Sequence, residues 1–225
     1  MMETLATFTA HIPRFPDLQS LDDVVVCEVE AVRAIRSGEK TVTCLPVEPQ
    51  PDRRADWGHC GLDDVFRFGT EAGEVAEFGS RRCPYGRAGG TVRFAEPWAP
   101  FPNVSGFVYA ADGFSDVPEG GWRSGARMPD EAMRLSVSLW DVRVRRLQEL
   151  GEHECREQGF DRLKWFPLAW EEAYKRPIPV RRDGRVVGYV SYPYAGVDER
   201  RTFRGLPWRV LGNPWVWVLE HPFVG

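Results

Sequence analysis

Hydrophobic and polar positions repeat with two periods along this chain, and each change of period marks an element. Val24-Val25-Val26-Cys27 is a short unbroken apolar run, the pattern of a buried strand. Over residues 30–37, Val32 and Ile35 fall three apart with Ala31 and Ala34 on the same side, which predicts a short amphipathic helix. Gly38 then suits the left-handed residue that closes such a helix. If Thr41, Val42 and Thr43 are extended, both hydroxyls point to one face and Val42 to the other, with Lys40 in the turn before them.

Residues 45–82 are rich in Pro, Asp and Gly and carry little periodicity. Within them, 65–68 and 75–78 are expected to pair as a small hairpin, so the stretch reads as an insertion rather than a second domain. Residues 91–96 alternate, placing Val92 and Phe94 toward a core with Glu96 in the same phase. A carboxylate there must reach an open mouth or find a donor, because an unpaired buried charge is costly. Pro97 ends that strand, and 99–121 reads as a loop able to cover the same mouth.

Further on, Pro129 and the acids after it suit one helical turn over 129–133. Leu135, Val137 and Leu139 share one phase and Val142 and Val144 the other, which predicts a bulge near Trp140-Asp141. Short helices are expected over 152–158, ended by Gly159, and over 163–174, stopped before Pro177. Residues 178–181 and 185–190 flank Asp183-Gly184, a type I′ hairpin signal, with Pro179 confining the first arm to an edge. Residues 215–220 alternate as a last strand, both tryptophans on one face and Val216 and Val218 on the other.

The chain has 225 residues, enough for one sizeable core, and its nine Trp and thirteen Phe make aromatic packing a large part of it. A net charge of −4 supplies no global attraction for nucleic acid, so such contact must come from a local patch. Arg143, Arg145 and Arg146 form one candidate cluster. Five cysteines at irregular spacing do not read as a secreted disulfide framework. His59-Cys60 and Cys83 offer thiol and imidazole ligands but lack a paired C-x-x-C, so no metal is expected. No apolar run approaches the ~20 residues of a membrane span, and the N-terminus lacks the order of a signal peptide. The expectation is a reduced, cytoplasmic protein that does not engage membranes and needs no cofactor.

Residues 32–43, Val-Arg-Ala-Ile-Arg-Ser-Gly-Glu-Lys-Thr-Val-Thr, resemble the helix-turn-strand of ASCH domains, whose pattern is roughly Gly-x-Lys-Thr-x-Thr-x-Arg. Four further blocks resemble the phage- and prophage-associated branch of that PUA-like superfamily, in the same order. They are Cys83-Pro84-Tyr85-Gly86 with Glu96-x-Trp98-Ala99-Pro100, Trp122 to Met128-Pro129, Asp141-Val142-Arg143-Val144 with Arg146-Leu147-Gln148, and Asn213-Pro214-Trp215-Val216-Trp217-Val218-Leu219-Glu220. The resemblance spans roughly residues 23–220. It implies an α+β fold, a PUA-like mixed β-barrel with short helices packed at its ends and a cleft at one mouth. The organisation expected is an N-terminal arm over 1–22 and one domain over 23–225, with insertions at about 45–82 and 177–212.

The resemblance also implies RNA or nucleobase binding, and a small bacterial member hydrolyses N4-acetylcytidine with a lysine, a threonine and a glutamate. Lys40 and Thr43 match the first two, and a desolvated lysine could take the threonine proton for attack on an amide carbonyl. The glutamate position is Gln158 here, with Glu157 one residue earlier and about 100° away on a helix. The arginine after the second threonine is Cys44, and the one before the strand glutamate is Ala95. Cys44 could be a nucleophile, although a free cysteine more often serves as a small buried hydrophobe.

Three readings follow. One is a nucleic-acid, nucleotide or nucleobase binding module: Lys40, Thr41, Thr43, Glu96, Trp98 and Gln158 line the pocket, Trp98 and Tyr85 are available for stacking, and Gln158 reads a base edge. The second is an amidohydrolase on an acylated nucleoside using Lys40, Thr43 and Glu157. The third is a phage-derived protein that binds a host protein through the two insertions.

Overall fold

In chain order the elements begin β1 (Val24–Val26), α1 (Val29–Ser37), β2 (Val42–Pro46), β3 (Trp57–Cys60), β4 (Phe66–Gly69), β5 (Ser80–Arg81), β6 (Thr91–Ala95), β7 (Trp98–Pro100) and β8 (Phe107–Tyr109). They continue as β9 (Leu135–Ser138), β10 (Asp141–Arg146), α2 (Glu152–Glu157), α3 (Trp165–Tyr174), β11 (Ile178–Arg182), β12 (Arg185–Ser191), β13 (Glu199–Phe203), β14 (Leu206–Val210) and β15 (Trp215–Glu220). The structure, a computed structural model, describes residues 24–70, 79–101, 106–114, 118, 120–160 and 164–222. The expected arm over 1–22 therefore lies outside the described residues.

The α+β class holds, with strands outnumbering helices. The strands form five separate sheets, however, and among the described residues none closes into a barrel. β6 lies between β1, to which it is parallel, and antiparallel β9. β15 lies between β10 and β2 and is antiparallel to both. The chain passes from the first of these sheets to the second at Leu139-Trp140, where the Leu139 amide bonds Gly90 and the Trp140 amide bonds Glu220. The change of hydrophobic phase expected to be a bulge is thus a break between two strands in different sheets. Each side buries its own apolar set, so a strand break permits the slip as well as an extra residue does.

β15 divides the interior. Its Trp215, Trp217 and Leu219 face a core that includes Val32 and Ile35 of α1, Val92 and Phe94 of β6, and Phe66 and Phe68 of β4. Its Val216 and Val218 face a second core with Val42, Cys44, Phe166 and Trp170. Edge-on ring contacts knit the first core, Phe66 to Trp217 at 4.9 Å and Phe68 to Trp215 at 5.2 Å. Burying a side chain such as Phe94 contributes about 1.5–3 kcal/mol.

β4 pairs with β3 and with β5, and the partner segment expected for it, 75–78, lies outside the described residues. The loop expected over 99–121 contains part of β7, all of β8 and a 3-10 turn, Ala110–Asp112. The hairpin of β11 and β12 forms as expected, with Asp183 at φ 50 and Gly184 at φ 72, and β11 at the sheet edge. α1 ends at Gly38 with φ 79, its amide bonded to the Ile35 carbonyl. Gly38→Ala forces an L-residue into that conformation and is expected to cost about 1 kcal/mol, net of the unfolded-chain entropy it removes. A fall in melting temperature of about 2–4 °C would register it, and an unchanged value would refute the requirement.

Candidate functional site

The turn after α1 delivers Lys40 into an isolated antiparallel bridge with Gln158, the residue that caps α2. Bridged residues present their side chains to one face, so this backbone pairing sets the lysine beside the glutamine. The Thr41 amide reinforces it by donating to the Glu157 carbonyl at 2.7 Å. β2 then runs along β15 with Thr43 opposite Leu219, and the pairing continues one residue past the strand, the His221 amide donating to the Thr41 carbonyl at 2.9 Å. Alternation along both strands places Thr41, Thr43, Leu219 and His221 on one face.

On that face Thr43 Oγ1 and His221 Nε2 are 3.3 Å apart. The residues are 5% and 0% exposed, and the His221 ring stands edge-on to Phe94 at 5.5 Å. His221 Nδ1 lies 3.5 Å from the Pro222 carbonyl, which can only accept. The proton is therefore assigned to Nδ1, leaving Nε2 to accept from the Thr43 hydroxyl. Burial, and secondarily the positive charge of Lys40, push the His221 pKa down to about 4, so the ring is neutral at pH 7.

Lys40 keeps some exposure as a residue, yet its amine is enclosed, and burial lowers its pKa while the Cys44 and Cys27 thiols oppose the shift. The amine has no hydrogen-bond or ion-pair partner among the described residues. Buried Gln158 makes one side-chain hydrogen bond among them, a long one of 3.4 Å from its amide nitrogen to the Glu154 carbonyl. The site therefore combines an unpaired cationic donor, an under-used amide and a hydroxyl held by a neutral imidazole.

Other residues singled out from the sequence lie elsewhere. Glu157 lies 3.5 Å from exposed His153 along α2. Glu96 is fully buried and bidentate to Arg134, at 2.9 and 3.1 Å, so its donor is internal rather than a ligand. Trp98 is buried in a third core with Val24, Ala95, Met128 and Ala132 and meets Phe107 edge-on at 5.4 Å. Tyr85 is partly buried against the first core. Burial raises the Cys44 thiol to about 12, which removes the thiolate a nucleophile needs at neutral pH.

The three arginines of β10 do not form one patch. Arg143 pairs with Asp141 and Glu220, Arg145 is exposed, and Arg146 turns to the opposite side, donating to the Arg53, Ala55 and Asn213 carbonyls over the Trp215 ring. Among the described residues no group of three His, Cys, Asp or Glu is placed to hold a metal ion. No helix among them is long and apolar enough to cross a membrane.

Sequence reasoning missed His221. It follows the last strand by one residue, and the alternation that puts Trp215, Trp217 and Leu219 on one face carries His221 onto it as well, a signal available in the sequence. Two cavities, of about 740 and 440 Å³, are lined respectively by Arg146 and by Arg143, Arg145 and Trp215, and neither is lined by Lys40, Thr43 or His221. The larger separates the 50–54 loop and Arg146 from β13 and β14, and the smaller lies between β3 and β10. No family model matches this chain, and neither a curated protein nor a solved structure matches it.

Proposed function

We propose that Lys40, Gln158, Thr43 and His221 form a recognition site for a nucleobase or nucleoside. The observation that carries this reading is the Lys40–Gln158 bridge, which sets a partnerless ammonium beside an under-used amide. An ammonium only donates, and an amide both donates and accepts. Together they match the mixed edge of a base such as cytosine, whose ring carbonyl and ring nitrogen accept and whose exocyclic amine donates. The ASCH resemblance of residues 32–43 supports the same class of ligand and, with it, a PUA-like ancestry for the sheets around the site.

The Thr43–His221 contact favours a second reading, hydrolysis of an N-acylated nucleoside. Neutral His221 would take the Thr43 proton as the oxygen attacks the acyl carbonyl, and the Lys40 ammonium would stabilise the oxyanion. His221 would then protonate the leaving exocyclic amine, and a water deprotonated by the same imidazole would cleave the threonyl ester. Here the base is the histidine rather than the lysine, and no carboxylate is required.

Calorimetric titration of cytidine, uridine and N4-acetylcytidine tests the first reading, alongside Lys40→Met and Gln158→Leu. Each variant is expected to weaken the preferred nucleoside at least ~10-fold, about 1.4 kcal/mol. Lys40→Met is also expected to raise the melting temperature, because it removes an enclosed cation without a partner. No binding of any nucleoside by the wild type would refute recognition. Release of acetate from N4-acetylcytidine that vanishes in Thr43→Val would establish the second reading, and its absence in the wild type would dismiss it.

A further inference from the structure

The sheet of β11 to β14 has one register row running across all four strands. Ile178 is opposite Val190, Val190 opposite Arg209, and Arg209 opposite Arg200. Residues in register share a face, so these four side chains line one side of the sheet. Ile178 and Val190 are buried in the second core, whereas Arg209 and Arg200, further along the row, are exposed and line the cavity of about 740 Å³.

Two like charges directly opposite on neighbouring strands destabilise a sheet. Among the described residues neither Arg200 nor Arg209 has a hydrogen-bond or ion-pair partner that would neutralise it. Across the cavity stand Arg53, whose guanidinium is likewise unpaired among them, and Arg146, whose guanidinium is held by backbone carbonyls rather than by an acid. Burial lowers the Arg146 pKa, with Glu149 and Asp198 opposing the shift. The acids on the walls are engaged in part: Asp52 pairs with Arg54, Glu199 with Arg201, and Asp198 accepts from the Gly212 amide. In a chain of net charge −4, this cavity concentrates unneutralised guanidinium groups on two facing walls.

We propose that this cavity binds a ligand carrying several phosphate groups in series, the phosphates bridging Arg200 and Arg209 on one wall and Arg53 and Arg146 on the other. Guanidinium forks match phosphate oxygens bidentately, and a phosphate between Arg200 and Arg209 turns their repulsion into attraction. The volume lies within the range of small-ligand sites, about 300–1,000 Å³, and suits either a free polyphosphate or a short run of a single-stranded nucleic-acid backbone. This site does not depend on the one at Lys40.

The test is binding of labelled twelve-nucleotide oligouridylate, and of inorganic tripolyphosphate, to the full chain at about 50 and 200 mM salt. For four arginine–phosphate contacts on a single strand, affinity should fall roughly 50-fold between these salts. The double variant Arg200→Ala, Arg209→Ala should bind at least ~10-fold more weakly and lose only about 7-fold over the same interval. Its melting temperature should not fall, since a repulsive pair has been removed. Competition by tripolyphosphate for the oligonucleotide would support one shared phosphate site. Tripolyphosphate binding without oligonucleotide binding would support the site and identify a small polyphosphate as its ligand. Binding of neither, unaltered binding by the double variant, or equal loss in Lys40→Met would overturn the proposal.

Discussion

Arg134→Met is expected to destabilise the protein by about 3–5 kcal/mol, the range for removing one partner from a buried ion pair. Arg134 grips Glu96 through Nε and Nη2 at 2.9 and 3.1 Å, and Asp112 through Nη1 and Nη2 at 2.7 and 2.8 Å. Its guanidinium carbon also lies 3.7 Å from the centre of the Tyr109 ring. Glu96 is 0% exposed, so without Arg134 its carboxylate has neither water nor a donor to stabilise the charge. The double variant Arg134→Met, Glu96→Met should recover much of the loss, because replacing both partners by apolar groups strands no charge.

Arg93 is the control. Its pair with Asp130 is solvated, the acid side chain 81% exposed, and Arg93→Met should cost less than about 1 kcal/mol. Urea denaturation of the four proteins reads all of these values, and a loss below about 1 kcal/mol in Arg134→Met would show that Glu96 is not held as described. The network reaches the candidate site through Asp112, which also binds Arg36 of α1 at 2.6 Å, while Arg33 of the same helix donates to the Ala111 carbonyl. α1 leads directly to Lys40, so under the recognition reading Arg134→Met should also weaken nucleoside binding.

The second large effect is a loss of stability in acid that traces to His221. Its pKa of about 4 lies below the ordinary value of 6.5, with burial as the main cause and Lys40 as the next. A group whose folded pKa is depressed binds its proton more readily when unfolded, so stability is fully present above about pH 6.5 and is lost as pH falls toward 4. A difference of roughly 2.5 pKa units corresponds to about 3 kcal/mol. Urea denaturation at intervals between pH 7.5 and 4 should show this decline in the wild type and a shallower one in His221→Gln, which keeps a polar group beside Thr43 without a titrating ring. Equal slopes in the two proteins would place the acid sensitivity elsewhere. Under the hydrolytic reading, turnover should decline over the lower part of the same interval, as His221 gains a proton and stops accepting from Thr43.

Local structure was legible where neighbouring residues decide it. The period of three to four ahead of Gly38, the Asp183-Gly184 pair and the strict alternation of 215–220 each impose a conformation over a few residues. α1, the β11–β12 hairpin and the two-faced β15 answer to them. The phase of Glu96 showed that it needed a donor, and Gly-Glu-Lys-Thr-Val-Thr marked the segment in which Lys40 and Thr43 stand.

Partners across the chain were not legible. Alternation says which side chains share a face, but it does not say which strand lies beside which, and that choice depends on how all the apolar faces are buried together. Thr43 and His221 are 178 residues apart in sequence and meet only because β2 and β15 adopt one register. In the same way, sequence could not show that Glu96 would be claimed by Arg134, that Arg146 would bond the Arg53 and Ala55 carbonyls, or that Arg200 would stand opposite Arg209. The sequence alone determined the short elements and the polarity of their faces, because those depend on dihedral preference and periodicity over a few residues. The tertiary structure decided which polar groups are neutralised and which are left without a partner among the described residues, because electrostatic pairing depends on distances that only the packed chain sets.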